Sequence, residues 1–399
     1  MHLLEEHGLP ALHPLIGCDS SEPLGYTPDM PDDPLKSLRE KIDELDHRIV
    51  ELLNARARIV VDIGKIKHNT GTPVYAPDRE KVVLERIRAA NKAVGGPLPN
   101  SCLEAIYREL MSGSFALEKP LRIAYLGPQG SYSHLASVKK FGSSVEHVPL
   151  TDIAAVFKEV DRGHADLALV PIENSTVGGV IESMDAFLET RSVTIIAEVL
   201  VAIHSHLLAN CAPEDVKIVY SKGEALNQCR QWLTATFPNV QRMAVASSSK
   251  AAEMAAEQVG GGAAAIGSSL AAELYNLKIL FSNIEDNPAN VTRFFVIGKD
   301  GGGHHAPKRT GDDKTSLIFT TAHKSGALVD VLDVFRRFNI NLTNIDTRPS
   351  QKRNFEYYFF TDMAGHIDDD NVKAALDEVK QHCLQLAVLG SFPRAVETL

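Results

Sequence analysis

The feature that most constrains the fold is an apolar stripe near the start of the chain. Ten positions between residues 35 and 66, spaced alternately by three and four, define one face of a long predicted helix. Nine of these positions are apolar: Leu35, Leu38, Ile42, Leu45, Ile49, Leu52, Ile59, Ile63 and Ile66. One helix cannot bury such a stripe alone. We therefore expect it to pack on partner helices, including those of a second copy of the chain.

The tenth position of the stripe is Arg56. A cation within an apolar face is costly unless an anion pairs with it. Lys67 lies eleven residues further on, which corresponds to about 20° of rotation and about 16 Å of rise. Both cations can therefore lean toward one pocket. Arg39 lies about 100° away from Arg56 around the helix, so it is better placed to serve the pocket of a partner chain.

The residues opposite this stripe leave two interpretations open. On the third predicted helix, Ser114 and Glu118 form an i, i+4 pair close to an apolar seam. In the first interpretation, Arg56 makes an internal salt bridge with Glu80, Glu109 or Glu118. In the second, the cations, the carboxyl and the hydroxyl together bind a small dianion.

Changes of pattern divide the chain into five segments. Helical periodicity gives way to short apolar strands alternating with helices, and a polar glycine-rich stretch precedes a final β-α-β-β-α pattern. We predict a mobile arm (1–34), an all-α region (35–119), an α/β domain (120–299), a linker (300–313) and an α+β domain (314–399).

Composition excludes several classes of protein. A net charge of −10 argues against nucleic acid or an anionic membrane as the main partner. The five cysteines are odd in number and form no C-x-x-C pair, which is typical of a reducing compartment and of a chain without a structural zinc site. The N-terminus has acidic residues where a signal peptide needs basic ones, and no stretch is apolar enough to span a membrane. We expect a cytoplasmic enzyme.

The helical region resembles a known family through three segments: LREKIDELDHRIVELLNARARIVVDIGKIK, PVYAPDREKVVLERI and IYRELMSGSFALE. They are similar to the helical chorismate mutases, in which two chains interlock into a dimer. The resemblance implies that Arg56 and the partner's copy of Arg39 bind the substrate carboxylates, with Lys67 and Glu118 beside the ether oxygen. It also implies substrate contacts by Glu80 and Ser114, with Arg79 beside them. Ala76 stands where the family often has an acid, so that contact is missing here.

This assignment fits the chemistry. A Claisen rearrangement needs no acid, base or nucleophile; it needs the substrate held in a chair-like geometry and a donor at the breaking C–O bond. The cations Arg56 and Lys67 can supply that. Glu118 would have to be protonated to act as a second donor.

Polar residues follow the strands of the α/β domain. The turn GPQGSYS (127–133) joins a strand to a helix, and its N–H groups with Ser131 can hold a carboxylate. It is not G-x-G-x-x-G, which argues against a dinucleotide site. A buried strand ends in Glu173-Asn174-Ser175, where open α/β sheets bind ligands, and Thr292-Arg293 stands immediately before another predicted strand.

Six motifs in order, GPQGSYS, PIENSxxGxV, VYSKGEALNQC, SSSKAA, AAIGSSLAAELYNL and NVTRFF, resemble prephenate dehydratases. The resemblance implies two α/β lobes, similar to type II periplasmic binding proteins, with the site in the cleft. It makes Thr292 the catalytic hydroxyl, and we expect Glu173 to be its proton source. The pocket or its support would include Ser131, Asn174, Ser175, Ser221, Gln228 and Arg293. Lys222 departs from the family pattern, and no role is assigned to it.

No cofactor or metal is expected, because this dehydration needs neither and no cluster of ligands stands out in the sequence. The histidines of the α/β domain and the linker are interpreted as surface or linker residues: His204, His206, His304 and His305.

The last segment is similar to an ACT domain of the dehydratase type, with an α+β ferredoxin-like fold. Its G-A-L element is Gly326-Ala327-Leu328, and Asn341 and Leu342 begin the second strand. By this resemblance, phenylalanine binds these residues at an interface between two such domains and inhibits the enzyme. The alternative is a dimerisation module without a ligand.

Together the resemblances imply an enzyme of phenylalanine synthesis that converts chorismate to prephenate and prephenate to phenylpyruvate. We expect a homodimer or a tetramer. A rival interpretation is a non-catalytic regulator with a periplasmic-binding-like domain, which would explain the cleft but not Arg56. A mutase joined to a dehydrogenase would need a nicotinamide fingerprint, and the sequence has none.

Overall fold

The structure is a computed structural model that describes residues 34–258, 260–300, 307–349 and 357–399. The predicted arm, apart from Pro34, and residues 301–306 of the predicted linker lie outside these residues. The chain divides into two units, Met1–Ala55 and Arg56–Leu399.

In the first unit the described residues are helical and belong to α1 (Pro34–Thr70). The predicted stripe lies on its surface in the single chain. Its side chains from residue 38 to residue 52 are between 51% and 69% exposed: Leu38, Ile42, Leu45, Ile49 and Leu52. Such a row of large apolar side chains exceeds the scattered exposure usual for a monomer surface.

The second unit begins with a helical region, which comprises α1 from Arg56 onward, α2 (Pro77–Val94) and α3 (Asn100–Glu118). Local chemistry sets the bounds of α2. Pro77 occupies its first turn together with acidic side chains, which favours the start of a helix. Gly95 ends it in the left-handed conformation, at φ 67°. These helices agree with the predicted ones.

An α/β region follows. Its elements are β1 (Arg122–Leu126), α4 (Tyr132–Phe141), β2 (Glu146–Leu150), α5 (Ile153–Asp161), β3 (Leu167–Asn174), β4 (Gly178–Gly179), α6 (Ile181–Glu189), β5 (Val193–Ala202), β6 (His206–Ala209), β7 (Ile218–Ser221), α7 (Gly223–Gln228), α8 (Arg230–Thr236), β8 (Gln241–Ala244), α9 (Ser248–Glu257), β9 (Ala263–Gly267), α10 (Ser269–Leu274), β10 (Lys278–Phe281) and β11 (Val291–Lys299).

Two sheets make this region two lobes, as predicted. The first lobe has strand order β2-β1-β3-β11-β5, with β4 beside β3, and the second lobe has order β10-β6-β9-β7-β8. The chain builds the second lobe between β5 and β11, and β11 then returns to the first sheet. There it runs antiparallel to both neighbours, with Thr292 opposite Asn174 and Arg293 opposite Glu173.

The C-terminal region contains β12 (Asp313–Thr320), α11 (Ala327–Arg337), β13 (Leu342–Pro349), β14 (Tyr357–Ala364), α12 (Asp370–His382) and β15 (Gln385–Pro393). Its antiparallel sheet has order β13-β14-β12-β15. The sequence predicted all of these elements except β15, which covers the outer edge of β12. In addition, β12 begins one residue before the predicted domain boundary.

Shared apolar cores join these regions within the second unit. Phe295 of the first lobe meets Phe392 of the C-terminal region edge to face, at a centroid distance of 5.5 Å. Tyr75, which precedes α2, packs on Phe141 of α4 at 5.3 Å. Burial of such aromatic surface is the largest favourable contribution to folding, so the regions stabilise one another.

Among the described residues, the helices are all too short or too polar to serve as a membrane span.

A glycine allows the helical region to approach the first lobe closely. Gly142 follows α4 at φ +73°, and a Cβ atom at this position would lie 2.6 Å from the Cβ of Ser112 on α3. The Ser112 hydroxyl in turn accepts a hydrogen bond of 2.9 Å from the backbone N–H of Ser144. A side chain at residue 142 would push α3 away from α4.

We expect Gly142→Ala to lower the free energy of unfolding more than Gly163→Ala. Gly163 has the same φ of +73° but no atom within 4 Å of a Cβ atom. The left-handed backbone costs either alanine about 1–2 kcal/mol. Only at residue 142 does the overlap add about 1–3 kcal/mol more. Urea denaturation of both variants measures the difference, and equal losses would show that the contact with Ser112 is unimportant.

Candidate active sites

The helical region brings together the residues that the stripe singled out. The Nη1 of Arg56 donates a hydrogen bond of 2.8 Å to the Ser114 hydroxyl. The Nζ of Lys67 lies 2.8 Å from Oε2 of Glu118, whose side chain is only 8% exposed. Two cations of α1 therefore contact a hydroxyl and a carboxyl of α3, and the four side chains form one polar cluster between these helices.

This close approach of α1 and α3 depends on Gly64, which sequence reasoning missed. A Cβ atom at residue 64 would lie 3.1 Å from Cα of Glu118 and 3.2 Å from its Cγ. A side chain there would displace Glu118 from Lys67. The signal in the sequence was a glycine inside a helical pattern, which is costly and often marks a close contact.

The structure also bears on the interpretation in which Arg56 makes an internal salt bridge. Each of the three candidate carboxylates has another partner: Glu80 contacts Lys140, Glu109 contacts Ser143 and Glu118 contacts Lys67. The observed partner of Arg56 is a neutral hydroxyl. None of these three carboxylates pairs with the positive charge of Arg56, which is therefore available to an anionic ligand.

Of the other three residues predicted for this site, Glu80 makes its contacts outside the cluster. Oε2 of Glu80 accepts from Nζ of Lys140 at 2.8 Å and from the Tyr75 hydroxyl at 3.2 Å, so it faces the first lobe. Arg79 is exposed on α2, and Arg39 is exposed in the first unit.

A second cluster lies where β3 and β11 end, around Thr292. The side-chain amide of Asn174 donates to Oγ1 of Thr292 at 2.8 Å and to Oδ1 of Asn290 at 2.7 Å. The Asn174 Oδ1 accepts from the backbone N–H groups of Thr176 and Val177, which fixes the orientation of the amide. Because Thr292 accepts this bond, its own proton can be donated to another group.

The second lobe reaches this cluster through Gln228. The side-chain amide of Asn290 donates a hydrogen bond of 3.4 Å to Oε1 of Gln228. Asn290 is 3% exposed and was not singled out as a site residue, although it begins the NVTRFF motif. Ser175 ties the strand ends together, because its hydroxyl accepts from the Val291 N–H and donates to the Ala289 carbonyl. Ser221 is fully buried, and its hydroxyl donates to the Ile266 carbonyl.

The predicted glycine turn lies against the second lobe. The Gly130 carbonyl accepts a hydrogen bond of 2.9 Å from the Ser268 hydroxyl at the start of α10. The Ser131 hydroxyl caps α4 by accepting from the His134 N–H, and it donates to the Leu126 carbonyl. In this conformation it holds the turn and the helix.

His134 supports the same turn as a neutral ring. Its Nδ1 accepts from the Gly130 N–H at 3.1 Å, and the ring stacks on Tyr125 with centroids 4.8 Å apart. Burial, helped by the nearby His147, lowers the pKa of His134 to about 4. It therefore stays uncharged and can accept the hydrogen bond near neutral pH.

Arg293 lies in an interface between the first lobe and the C-terminal region. Its Nε pairs with Glu198 at 2.8 Å and its Nη1 with Asp362 at 2.5 Å. Burial opposes the charge, but Asp362 and then Glu198 outweigh it and hold the pKa of Arg293 above its ordinary value. The side chain is thus neither a surface group nor free in the cleft.

The register separates Glu173 from Thr292. Glu173 stands opposite Arg293, and Asn174 opposite Thr292. Successive side chains of a strand point to opposite faces, so Glu173 shares the face of Arg293, and its Oε2 lies 3.9 Å from Nη1. In this structure the observed partner of the Glu173 carboxylate is therefore Arg293 and not the Thr292 hydroxyl.

Of the four histidines interpreted as surface or linker residues, His204 has a specific partner. It is 40% exposed, yet its Nδ1 lies 2.8 Å from Oε1 of the buried Glu285. His206 is half-buried, with its pKa lowered mainly by burial. His304 and His305 lie outside the described residues.

The C-terminal region contains an open cavity of about 140 Å³ beside the start of α11. Two of the predicted regulator-binding residues, Ala327 and Leu328, line it together with Tyr357 and Phe359. Gly326 precedes α11 at φ 81° with open space around it. The other two predicted residues, Asn341 and Leu342, lie at the start of β13.

Family models match the chain in the same three regions. Chorismate mutase type II matches residues 38–119, prephenate dehydratase matches 123–302 and the ACT domain matches 315–381.

Similar proteins span nearly the whole chain. A bifunctional chorismate mutase/prephenate dehydratase of Aquifex aeolicus is 43% identical over 364 residues, which is 91% of this chain and 98% of that protein. Its counterpart in Pseudomonas aeruginosa is 42% identical over 371 residues, or 91% and 99%. Among solved structures, prephenate dehydratase from Arthrobacter aurescens in complex with L-Phe is 33% identical, with a TM-score of 0.64, covering 69% of this chain and 90% of that one. The chain therefore belongs to the bifunctional chorismate mutases/prephenate dehydratases and carries an ACT domain in its C-terminal region.

Proposed function

We propose that the cluster between α1 and α3 rearranges chorismate, that the cluster around Thr292 converts prephenate to phenylpyruvate, and that phenylalanine regulates the enzyme through the ACT domain. The observation that carries this proposal is the pair of polar clusters. Each is assembled from residues distant in sequence, and each has a hydrogen-bonding group free for a ligand.

In the mutase reaction one C–O bond breaks while one C–C bond forms, and no proton moves. The enzyme has to hold the reactive geometry and stabilise charge on the ether oxygen. Arg56 and Ser114 would bind a carboxylate, and the ether oxygen would enter between Lys67 and Glu118. Glu118 then has to be protonated in order to donate.

The remaining substrate contacts of the mutase site are proposed on family resemblance. Glu80 would contact the substrate hydroxyl and would have to turn from Lys140 to do so. Arg79 is assigned to the rim of this site.

We propose further that two copies of the chain interlock through α1, as a homodimer or within a tetramer. Large apolar side chains from residue 38 to residue 52 are more than half exposed, and an identical stripe on a second copy would cover them. Arg39 lies among these side chains and is exposed. It would complete the mutase site of the other copy.

We expect Arg39→Ala and Arg56→Ala each to lower mutase kcat/KM by about 100-fold, as for loss of one group that stabilises transition-state charge. Mixed dimers of the two variants would regain activity, because one of their two sites receives both arginines. A random mixture should reach about a quarter of the wild-type rate, since half of its dimers carry one intact site of two.

The matched control mixes Arg56→Ala with Lys67→Ala chains. Both substitutions affect residues that one chain contributes to a pocket, so no mixed dimer has an intact site. The rate of chorismate consumption is measured for both mixtures and for the wild-type chain. Failure of the Arg39 mixture to recover would contradict the shared site, as would recovery in the control.

In the dehydratase reaction, prephenate loses its ring carboxylate as CO2, and the bonding electrons expel the ring hydroxyl, which leaves as water after gaining a proton. The Thr292 hydroxyl, oriented by Asn174, is placed to donate a hydrogen bond to that leaving group. Threonine is too weak an acid to supply the net proton. Glu173 would have to turn from Arg293 toward the cleft to do so.

The other residues assigned to the dehydratase site have two proposed roles, binding of the substrate and support of the fold. Ser131, Ser175 and Gln228 are proposed to bind prephenate in the cleft between the lobes. Ser221, whose hydroxyl is bonded to the backbone, would support the second lobe.

The two-sheet arrangement supports a likeness to type II periplasmic binding proteins.

We expect Thr292→Val to lower dehydratase kcat by about 100-fold or more, because it removes the hydroxyl and keeps the β-branched shape. Thr292→Ser, which keeps the hydroxyl, should retain most of the activity. Mutase activity should be unchanged in both variants. Formation of phenylpyruvate from prephenate measures the effect. Full activity of Thr292→Val, or parallel loss of both activities, would contradict the assignment.

Phenylalanine is the proposed regulator. A similar prephenate dehydratase was solved in complex with L-Phe. In this chain Ala327 and Leu328 line an open cavity, and Gly326 leaves room for a carboxylate at the start of α11. Asn341 and Leu342 are assigned to the same site, completed by a second ACT domain. The sheet order β15-β12-β14-β13 supports a ferredoxin-like fold.

A further inference from the structure

A cluster of charges links the dehydratase strands to the ACT domain. Arg293 on β11 pairs with Glu198 on β5 at 2.8 Å and with Asp362 on β14 at 2.5 Å. Lys314 on β12 also pairs with Glu198, at 3.1 Å. The first lobe and the ACT domain each contribute one cation and one anion.

The two members from the ACT domain, Asp362 and Lys314, have their partners of this cluster in the first lobe. Arg293, Glu198 and Asp362 are between 5% and 8% exposed. The second oxygen of each carboxylate is also bonded, because Ser316 donates to Asp362 and the Ala395 N–H donates to Glu198. Removing one partner of such a group leaves a buried charge unpaired, so the positions of the four side chains are coupled.

Arg293 also faces a second carboxylate, from the dehydratase site. Its Nη1 lies 2.5 Å from Asp362 and 3.9 Å from Oε2 of Glu173. Its Nη2 is buried and has no hydrogen-bond partner among the described residues. The guanidinium therefore has a donor to spare, and a small shift would move it from Asp362 toward Glu173.

Glu173 and Arg293 form the rung of the β3–β11 ladder next to the pair of Asn174 and Thr292. Movement of the first rung displaces the second, because adjacent residues share one backbone. The hydrogen bond of 2.8 Å that orients the Thr292 hydroxyl belongs to that second rung.

A second contact from the ACT domain reaches the hairpin formed by β3 and β4. Gly179 pairs with Glu173, and a Cβ atom at residue 179 would lie 2.6 Å from Oδ2 of Asp346 on β13. Two residues further on, Arg348 forms a bidentate pair with Asp185 of α6, at 2.7 and 2.9 Å. The hairpin is thus held by the ACT domain on one side and by Arg293 on the other.

We propose that Asp362 of the ACT domain is a positioning residue of the dehydratase site. It holds the Arg293 guanidinium away from Glu173 and so sets the geometry of the Asn174–Thr292 pair. This inference rests on the proposed role of Thr292. It also gives the ACT domain a direct route to the reaction, because a ligand that shifts β14 shifts Asp362 and changes how Arg293 is shared between the two carboxylates.

The test uses the full chain with Asp362→Asn, which keeps the shape of the side chain and removes its charge. We expect dehydratase kcat to change roughly 2- to 30-fold, the range seen when a coupling residue is substituted. KM for prephenate should change less than kcat, and mutase activity should be unchanged. Asp362→Glu, which restores the charge, should restore part of kcat. Phenylalanine should still bind, as measured by calorimetry, but inhibit less.

Asp333→Asn is the matched control. Asp333 is an ACT-domain aspartate on α11 that pairs with Arg336 and Arg337 at the surface. It should leave dehydratase kcat unchanged. If Asp362→Asn does not fold, Ser316→Ala replaces it, because it removes the hydrogen bond to Asp362 and keeps every charge. It should change kcat in the same direction by a smaller factor.

Unchanged dehydratase kcat in folded Asp362→Asn, or in Ser316→Ala where the first variant does not fold, would overturn the proposal. So would an equal effect of Asp333→Asn. Other measurements show whether the proposed function itself is wrong. If Thr292→Val keeps its activity, the site assignment is wrong. If the wild-type chain is insensitive to phenylalanine, the proposed regulator is wrong, while the effect of Asp362→Asn on kcat still decides the role of Asp362.

Discussion

The dehydratase and ACT regions depend on the neutralisation of one buried arginine. Arg293 is a central side chain of the first sheet, where an unpaired charge would cost several kcal/mol. The sheet supplies one close carboxylate, Glu198, and the ACT domain supplies the other, Asp362. The interface between these regions therefore pairs a buried charge of β11 as well as covering apolar surface.

The same strand, β11, also organises the cluster around Thr292. Because β11 lies between β3 and β5, its alternating side chains serve two faces. Thr292 faces Asn174 and the second lobe, whereas Arg293 faces the ACT domain. A chain that builds its second lobe between β5 and β11 thus returns with Thr292, the proposed catalytic residue, next to Arg293, an interface residue. The mutase cluster is assembled differently, by side chains of two helices that a glycine lets approach.

Much of the fold and many of the residues in the two polar clusters could be predicted from the sequence. Helical spacing placed Arg56 and Lys67 on one face, and ordered motifs placed Thr292 and Asn174 at strand ends. What could not be predicted depends on pairing between distant segments. The face occupied by Glu173 follows from the register of β3 with β11, and the partner of Arg293 lies 69 residues away in another domain. No local pattern encodes either fact. Gly64 did carry a local signal, but its meaning required the position of Glu118.

The measurement that tests this account most directly is amide hydrogen exchange of the wild-type chain with and without phenylalanine. If the ACT domain acts through Asp362 and Arg293, the ligand changes the exchange of the Thr292 and Arg293 amides at the start of β11 as well as that of α11. A change confined to the ACT domain, with β11 and the β3–β4 hairpin unaffected, would contradict the proposed link between regulation and the catalytic strand.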